Sequence, residues 1–363
     1  MTMLPDAVEN TVGNSEVTWE KVRKQNYGID LKMFGARLSL TADYFFEHRY
    51  DILSTRNTLP SIVAIELPLI NLGEVDNRGY EISLGWNSRT EKIDWWVQGN
   101  VSYSKNKIIF MDEVMPNYPW MAQTGRSTGL NYGYRFDRFL RADDFDADGA
   151  LKSDGEGKPL LPVMSLGSPR PGDALFKDLN GDGKIDGNDK TYFGYSQRPD
   201  YVLGLLGGFR YKNFEISMQW TAGLHASRML SGEYRNAFGS TNGRALLKFL
   251  ADGRWTPENP DARFPRLTFL NKSHYLEDSD LWLMDGSYLR LKVAEIGYTF
   301  RDIPAFRKVG VKSLKVYFSG YNLLTLFSDL NDIDIDPEGA TSGSNIDSYP
   351  NVRIFNFGVN ITF

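Results

Sequence analysis

The 363-residue chain contains no cysteine. That removes disulfide frameworks, thiolate zinc sites and cysteine nucleophiles together. Histidine is nearly absent as well. His48, His225 and His274 are the three present, spaced too far apart for a metal motif such as HExxH. No run of 18 apolar residues occurs, so no transmembrane helix is expected. Basic charge is not in excess: 41 Lys and Arg face 46 Asp and Glu, a net charge of −5. A nucleic-acid binder would normally present a basic face, so no nucleic-acid partner is expected. Residues 1–14 show neither the basic nor the apolar region of a signal peptide. A Walker loop and a dinucleotide fingerprint are both missing. No histidine lies in a nucleophile elbow, and nothing pairs acids such as Glu258 and Asp285 across a cleft as glycoside hydrolysis requires. No catalytic residue is assigned, and the chain is not read as an enzyme.

Aromatics and glycine are plentiful: 22 Phe, 19 Tyr, 8 Trp and 34 Gly. The aromatics fall into strict apolar/polar alternation, the mark of a strand with two unlike faces. One face of a first run reads Ala36, Leu38, Leu40, Ala42, Tyr44 and Phe46, opposite Ser39, Thr41 and Asp43. Similar runs carry Ile82, Leu84 and Trp86 opposite Ser83, then Val97 and Val101 opposite Gln98. Later runs set Ile216 and Met218 opposite Ser217, and Val359, Ile361 and Phe363 opposite Asn360 and Thr362. Runs of ten or more exceed the usual five or six residues of a soluble strand and match a tilted membrane-crossing strand. Trp86, Trp95, Trp96, Tyr103, Tyr201, Tyr211, Trp220, Tyr298 and Phe300 are read as interfacial girdles. The fold class expected is therefore all-β, a transmembrane antiparallel β-barrel with long extracellular loops. A large soluble sandwich or propeller shares the alternation and stays open on pattern alone. Near Val293 to Glu295 the apolar parity flips, which predicts a β-bulge.

Short turns are expected at residues 34–35, 87–92 and 212–213, and a moderate one at 301–311. Long connections are expected at 55–70, 111–199, 226–286 and 328–351, with room for one further hairpin at 132–140. Barrels of the outer membrane put short turns in the periplasm and long loops outside, so the long connections are read as extracellular. Nine strands are counted, an odd number where single-chain bacterial barrels are even. The chain is thus read as the C-terminal part of a larger barrel.

One motif carries chemistry. Residues 178–189, within the long connection 112–199, place oxygen side chains at positions 1, 3, 5, 9 and 12 of a twelve-residue loop. Glycine at position 6 allows the sharp turn, and the seventh residue offers its carbonyl. The ligand set read for Ca²⁺ is Asp178, Asn180, Asp182, Lys184 through its carbonyl, and Asp189. Aspartate at position 12 in place of glutamate points to the weak affinity of an extracellular module. A metal-free Asp/Gly turn is the alternative. Asp144, Asp146 and Asp148 form a poorer cluster, read as a polar loop. Trp255, Trp282, Tyr275, Tyr118 and Trp120 are considered for sugar stacking, against ordinary loop packing.

Further segments carry a family resemblance. They are Thr18-Trp19-Glu20-Lys21, Asn71-Leu72-Gly73-Glu74-Val75-Asp76-Asn77-Arg78-Gly79-Tyr80-Glu81, Pro171-Gly172-Asp173 and Lys177-Asp178-Leu179-Asn180-Gly181-Asp182-Gly183. Next come Arg254-Trp255-Thr256-Pro257-Glu258-Asn259-Pro260, Asp285-Gly286-Ser287-Tyr288-Leu289-Arg290-Leu291-Lys292 and Ser319-Gly320-Tyr321-Asn322-Leu323-Leu324-Thr325. With the terminal Phe363, the chain resembles the C-terminal barrel portion of SusC/RagA-type TonB-dependent outer-membrane transporters of Bacteroidetes. The resemblance implies a 22-stranded barrel spanning residues 1–363 in its C-terminal portion, with plug and early strands not in this chain. It implies location in the outer membrane and uptake of oligosaccharides or peptides. It also implies a SusD-like surface lipoprotein, membrane lipid, and a TonB complex acting through the plug. A calcium-dependent surface carbohydrate-binding β-protein is the alternative function.

Overall fold

The computed structural model describes residues 13–58, 68–90, 93–165, 167–238, 246–269, 273–301, 303–308, 310–339 and 351–363. Nine long strands carry the alternation: β1 Lys21–Met33, β2 Leu38–Ser54, β3 Ile70–Arg89, β4 Ile93–Phe110, β5 Tyr201–Tyr211, β6 Phe214–Leu224, β7 Tyr288–Arg301, β8 Ser313–Leu326 and β9 Ile354–Thr362. They form one sheet in sequence order, with β1 and β9 at its ends. Short antiparallel turns join alternate neighbours, and the long connections also return to the adjacent strand, so the order is up-and-down throughout. Phe34, Gly35 and Ala36 all adopt positive φ in the first such turn, and Lys212 does so in another.

The predicted parity is what the register displays. Leu205 pairs with Gly99 on one side and Trp220 on the other, and Met218 pairs with Ala294. Leu84, Val359 and Ile361 on the apolar face are about half exposed. Their neighbours on the other face bond to one another: Thr41 donates to Asp30 at 2.6 Å, and Gln98 Nε2 donates to Ser83. In a soluble sandwich the apolar face would be the dry core between sheets. Here the buried apolar cluster contains none of those strand residues. The parity flip is a bulge at Lys292: Leu291 and Val293 oppose Trp220 and Gln219 directly, leaving one residue unmatched. It falls one residue before the expected window.

The chain divides into two compact units. The first comprises Met1–Gly28, Asp43–Tyr80 and Ser104–Thr128. Its strands carry polar pairs on both faces, His48 with Asp76 on the face that reads apolar elsewhere and the other two on the polar face. His48 Nδ1 meets Asp76 at 2.7 Å, Lys24 meets Glu47 at 2.8 Å, and Ser104 donates to Asn77. The second unit comprises Ile29–Ala42, Glu81–Tyr103 and Gly129–Phe363. It holds the buried core, and that core is built by the connections and not by the long strands. Leu140, Phe176, Ile185, Leu230, Leu250, Trp282 and Leu330 are fully buried there. Each such side chain contributes about 1.5–3 kcal/mol of burial, so the connections fold as a packed body. Short ladders order it. Asn131–Gly133 pairs with Thr191–Phe193, and Phe136–Phe139 with Ala174–Phe176. The room for a hairpin at 132–140 is therefore used otherwise: its two strands pair with distant partners inside the core and add nothing to the nine-stranded sheet.

Candidate functional site

The oxygen-rich loop 178–189 lies in the connection core and is pinned at both ends. Lys184–Ile185 pairs in parallel with Val163–Met164, and Ile185 is fully buried. Asp186 caps the turn Gly187–Asp189 by accepting from Asn188 N at 2.8 Å. Gly181 and Gly183 sit at φ of +73° and +80° with open space around an added Cβ. Their glycines answer to backbone conformation and not to crowding.

The side chains read as ligands organise the loop's own backbone. Asp178 accepts from Gly181 N at 2.7 Å and Gly183 N at 2.8 Å. Asn180 Oδ1 accepts from Asp182 N, and Asp182 Oδ1 accepts from Lys184 N at 2.8 Å. Asp189 reaches back across the loop to accept from Leu179 N at 2.8 Å and Asp186 N at 2.9 Å. It is the one fully buried carboxylate of the loop. Burial, reinforced by the charge of Asp178, raises its pKa despite those bonds. Neighbouring Tyr134 is pushed up to about 12 by burial, with Glu277, Asp186 and Asp189 adding negative potential. Lys190 answers part of that charge, meeting Glu277 at 3.3 Å and lying over the Tyr134 ring. Among the described residues no three His, Cys, Asp or Glu side chains converge to metal-holding range. A carboxylate oxygen has two lone pairs, so one that accepts an N–H retains a donor for a cation. A hollow borders the loop, walled by Pro159, Leu161, Val163, Asp178, Asp182 and Asp186.

The other candidates resolve into structure. Asp144 takes a two-pronged pair from Arg138 at 2.7 and 2.8 Å, and Asp146 Oδ1 accepts from Asp148 N and Ala150 N. Trp255 and Trp282 are buried in the core. Tyr118 and Trp120 stack on each other with centroids 4.5 Å apart. The Tyr275 side chain lies outside the described residues. His225 stacks on Tyr195, and His274 is fully buried with Nε2 donating to the Gly167 carbonyl at 3.0 Å. Asp285 accepts from Ser287 N, ordering the turn into β7.

A second cluster escaped sequence reasoning. Arg290 on β7 is almost fully buried and meets Asp336 at 2.9 Å and Glu338 at 2.7 Å. Lys292, the bulged residue, adds a contact to Glu338 at 2.6 Å, and Tyr288 donates to the same carboxylate. Arg228 donates to the carbonyls of Pro337 and Gly339. Asp336 and Glu338 of the last long connection are thereby clamped onto β7, and Pro337 and Gly339 onto the short strand Ser227–Met229. Sequence parity places Arg290 on the polar face, but its partners lie 46 and 48 positions away.

Residues 4–323 match the model of the family described as TonB dependent receptor-like, beta-barrel. The chain belongs to that family. The resemblance to SusC/RagA-type transporters is borne out, and the place of this barrel is the outer membrane. TonB-dependent receptor P3 of Formosa agariphila is 30% identical over 96% of the chain and 35% of its own length. TonB-dependent receptor SusC of Bacteroides thetaiotaomicron is 24% identical over 96% of the chain and 32% of its own length. A chain from the structure of the RagAB peptide importer in the open-open state shares the fold. Its TM-score is 0.68 at 20% identity, covering 98% of this chain and 36% of that one. The chain thus spans about a third of the length of the curated relatives it matches.

Proposed function

We propose that the chain is the C-terminal barrel portion of a receptor that imports oligosaccharides or peptides across the outer membrane. A SusD-like lipoprotein would cap it outside, and the TonB complex would act through a plug beyond this chain. The observation that carries the reading is the two-faced sheet within a TonB-dependent receptor family match. Its half-exposed apolar face suits lipid, and its hydrogen-bonded polar face suits a wet interior. A sheet in hydrocarbon has no water for its backbone groups, so each strand must bond to the next. The residues' work in uptake is then structural: the strands hold a polar wall, and the packed connections hold a firm surface above it for cargo and lid. RagAB is named as a peptide importer, which favours weighing peptides equally with oligosaccharides. The test is uptake of labelled oligosaccharide and peptide pools by cells carrying the full-length receptor, with and without TonB. Loss of uptake without TonB is expected; uptake that persists unchanged would overturn the reading.

The reading extends to the long connection 112–199 as extracellular and to Ca²⁺ on its loop 178–189. Asp178, Asn180, Asp182, the Lys184 carbonyl and Asp189 are the hard-oxygen donors that ion prefers. The fully buried Asp189, with its pKa raised by burial and by Asp178, favours a cation. Bound there, Ca²⁺ supplies positive charge and holds the loop on the core through Ile185. Isothermal titration of the full-length receptor is expected to show a dissociation constant on the order of 10⁻⁴–10⁻³ M, lost in Asp178→Ala. Absence of binding at millimolar Ca²⁺ would leave the loop a turn.

A further inference from the structure

The apolar face of the sheet is not evenly filled. Opposed residues across β4, β5, β6 and β7 form two rows on that face. One reads Val101, Leu203, Ala222 and Leu289; the next reads Gly99, Leu205 and Trp220. The small residues Gly99 and Ala222 lie diagonally in these rows, and a hollow of about 630 Å³ opens over them. Ile82 and Leu84 of β3 wall it on one side, Trp220 and Leu289 on the other. A Cβ placed on Gly99 would meet only Leu205 Cδ1, at 3.9 Å. The space is open, not filled by a neighbour's side chain.

Depth decides what can lie there. The Gly99–Leu205 pair sits four residues from the aromatic pair Trp95–Phe209 and four from Tyr103–Tyr201. At ~3.3 Å per residue each interval is about 13 Å along the strand. The hollow is therefore at mid-hydrocarbon depth, between two aromatic levels, where no headgroup reaches; Trp220, level with Gly99 and Leu205, lies at that depth and not in the girdle expected from the sequence. It crosses five strands, β3 to β7, which at ~4.8 Å spacing is about 19 Å long. With strands tilted ~40°, that length projects to roughly 12 Å along the membrane normal, less than half of the ~30 Å hydrocarbon core in which it is centred. An α-helix is 10–12 Å across with its side chains and runs through the whole bilayer, so it does not fit a groove that ends within the hydrocarbon on both sides.

We propose that this hollow is a binding site for one acyl chain of a membrane lipid, held longer than the lipids around it. The face is continuous with the lipid-facing surface of an outer-membrane barrel, so the occupant is a bilayer lipid and not a soluble ligand. The proposal rests on the membrane placement of the sheet and is independent of the cargo and of calcium. Seating a chain there fills contacts that mobile lipids leave partly unmade.

The full-length receptor is reconstituted in vesicles of phosphatidylethanolamine and phosphatidylglycerol, extracted in mild detergent and weighed by native mass spectrometry. One retained phospholipid is expected on the wild type. Gly99→Leu fills the hollow and is expected to lower that occupancy by about tenfold, or 1.4 kcal/mol. Gly207→Leu is the control: it lies on the same face outside the hollow, and its Cβ meets nothing closer than 3.5 Å. It is expected to retain the lipid. Equal retention in all three would overturn the proposal, as would a second receptor chain, not a lipid, lost from Gly99→Leu. Should Gly99→Leu fail to assemble, brominated acyl chains give an independent reading. Emission owed to Trp220, wild type minus Trp220→Phe, is expected to be quenched at mole fractions that leave Trp95 bright. Equal quenching of the two would refute the site.

Discussion

Arg290→Ala removes the centre of the clamp on the last long connection. Arg290 donates to Thr325 at 3.0 Å, Glu338 at 2.7 Å and Asp336 at 2.9 Å. Its side chain is 4% exposed, and those of Asp336 and Glu338 are 9% and 18% exposed. Deleting one partner of a buried pair leaves the other charge unpaid, at about 3–5 kcal/mol. Lys292 still meets Glu338, and Asp336 still accepts from Glu338 N and Asn351 N, so the lower end is expected. The loss falls on the connection and not on the strands, because the β7–β8 ladder is made by backbone groups. A loss of about 3 kcal/mol raises the open fraction of the connection roughly 150-fold. Limited proteolysis of the full-length receptor in membranes reads that fraction. Cleavage within the last long connection is expected to rise by about two orders of magnitude, as 1.4 kcal/mol is tenfold, while heat-modifiable mobility is unchanged. Arg290→Lys keeps the charge but not the fork that engages two carboxylates, so it is expected to fall between. Unchanged cleavage in Arg290→Ala would refute the clamp, and loss of assembly would show that Arg290 serves the sheet instead.

Three further outcomes follow from the same structure. Leu84→Arg puts a charge on the lipid face and is expected to cost about 2–4 kcal/mol near the midplane, read as a lower urea midpoint in vesicles; no shift would remove Leu84 from lipid. Because the Asp189 pKa is raised in the folded loop, the fold binds more protons than the unfolded chain just above pH 3.8. Without Ca²⁺ the loop is therefore expected to lose stability as pH rises through that window, and Ca²⁺ is expected to reverse the slope; hydrogen exchange at the amides of Leu179 and Asp186 measures both. The 363-residue chain expressed by itself is expected to show neither a heat-modifiable band nor steady conductance, since β1 and β9 end the sheet and unpaired edges cost several kcal/mol per group in lipid; either signal would contradict that.

The sheet was legible where its two faces differ in polarity. Leu38 to Phe46, Ile216 to Leu224 and Phe355 to Phe363 announce themselves by period alone. The strands run on where that difference ends: β2 continues to Ser54 and β3 begins at Ile70. There Glu47, His48, Arg49, Glu74 and Asp76 fill both faces with polar groups, and alternation has nothing to report. The connection core was invisible for the opposite reason. Leu140, Ile185, Leu230, Trp282 and Leu330 come from separate stretches with ladders of two or three residues, too short for any period. The calcium pattern was readable because its backbone frame is local, within twelve residues. The Arg290 clamp was not, since its acids arrive from another connection.

The central claim is that side chains of alternate parity along these strands face lipid and water. The chain has no cysteine, so each introduced thiol in this region reports its own position. Nitroxides at residues 82, 97, 218 and 359, and at 83, 98, 217 and 360, are to be placed one at a time in the full-length receptor in vesicles. Collision with oxygen, which favours lipid, is expected to dominate at Ile82, Val97, Met218 and Val359. Collision with a water-soluble nickel chelate is expected to dominate at Ser83, Gln98, Ser217 and Asn360, or both reagents to be excluded where a plug covers the wall. Strong nickel-chelate collision at Ile82, Val97, Met218 and Val359 would contradict the membrane barrel.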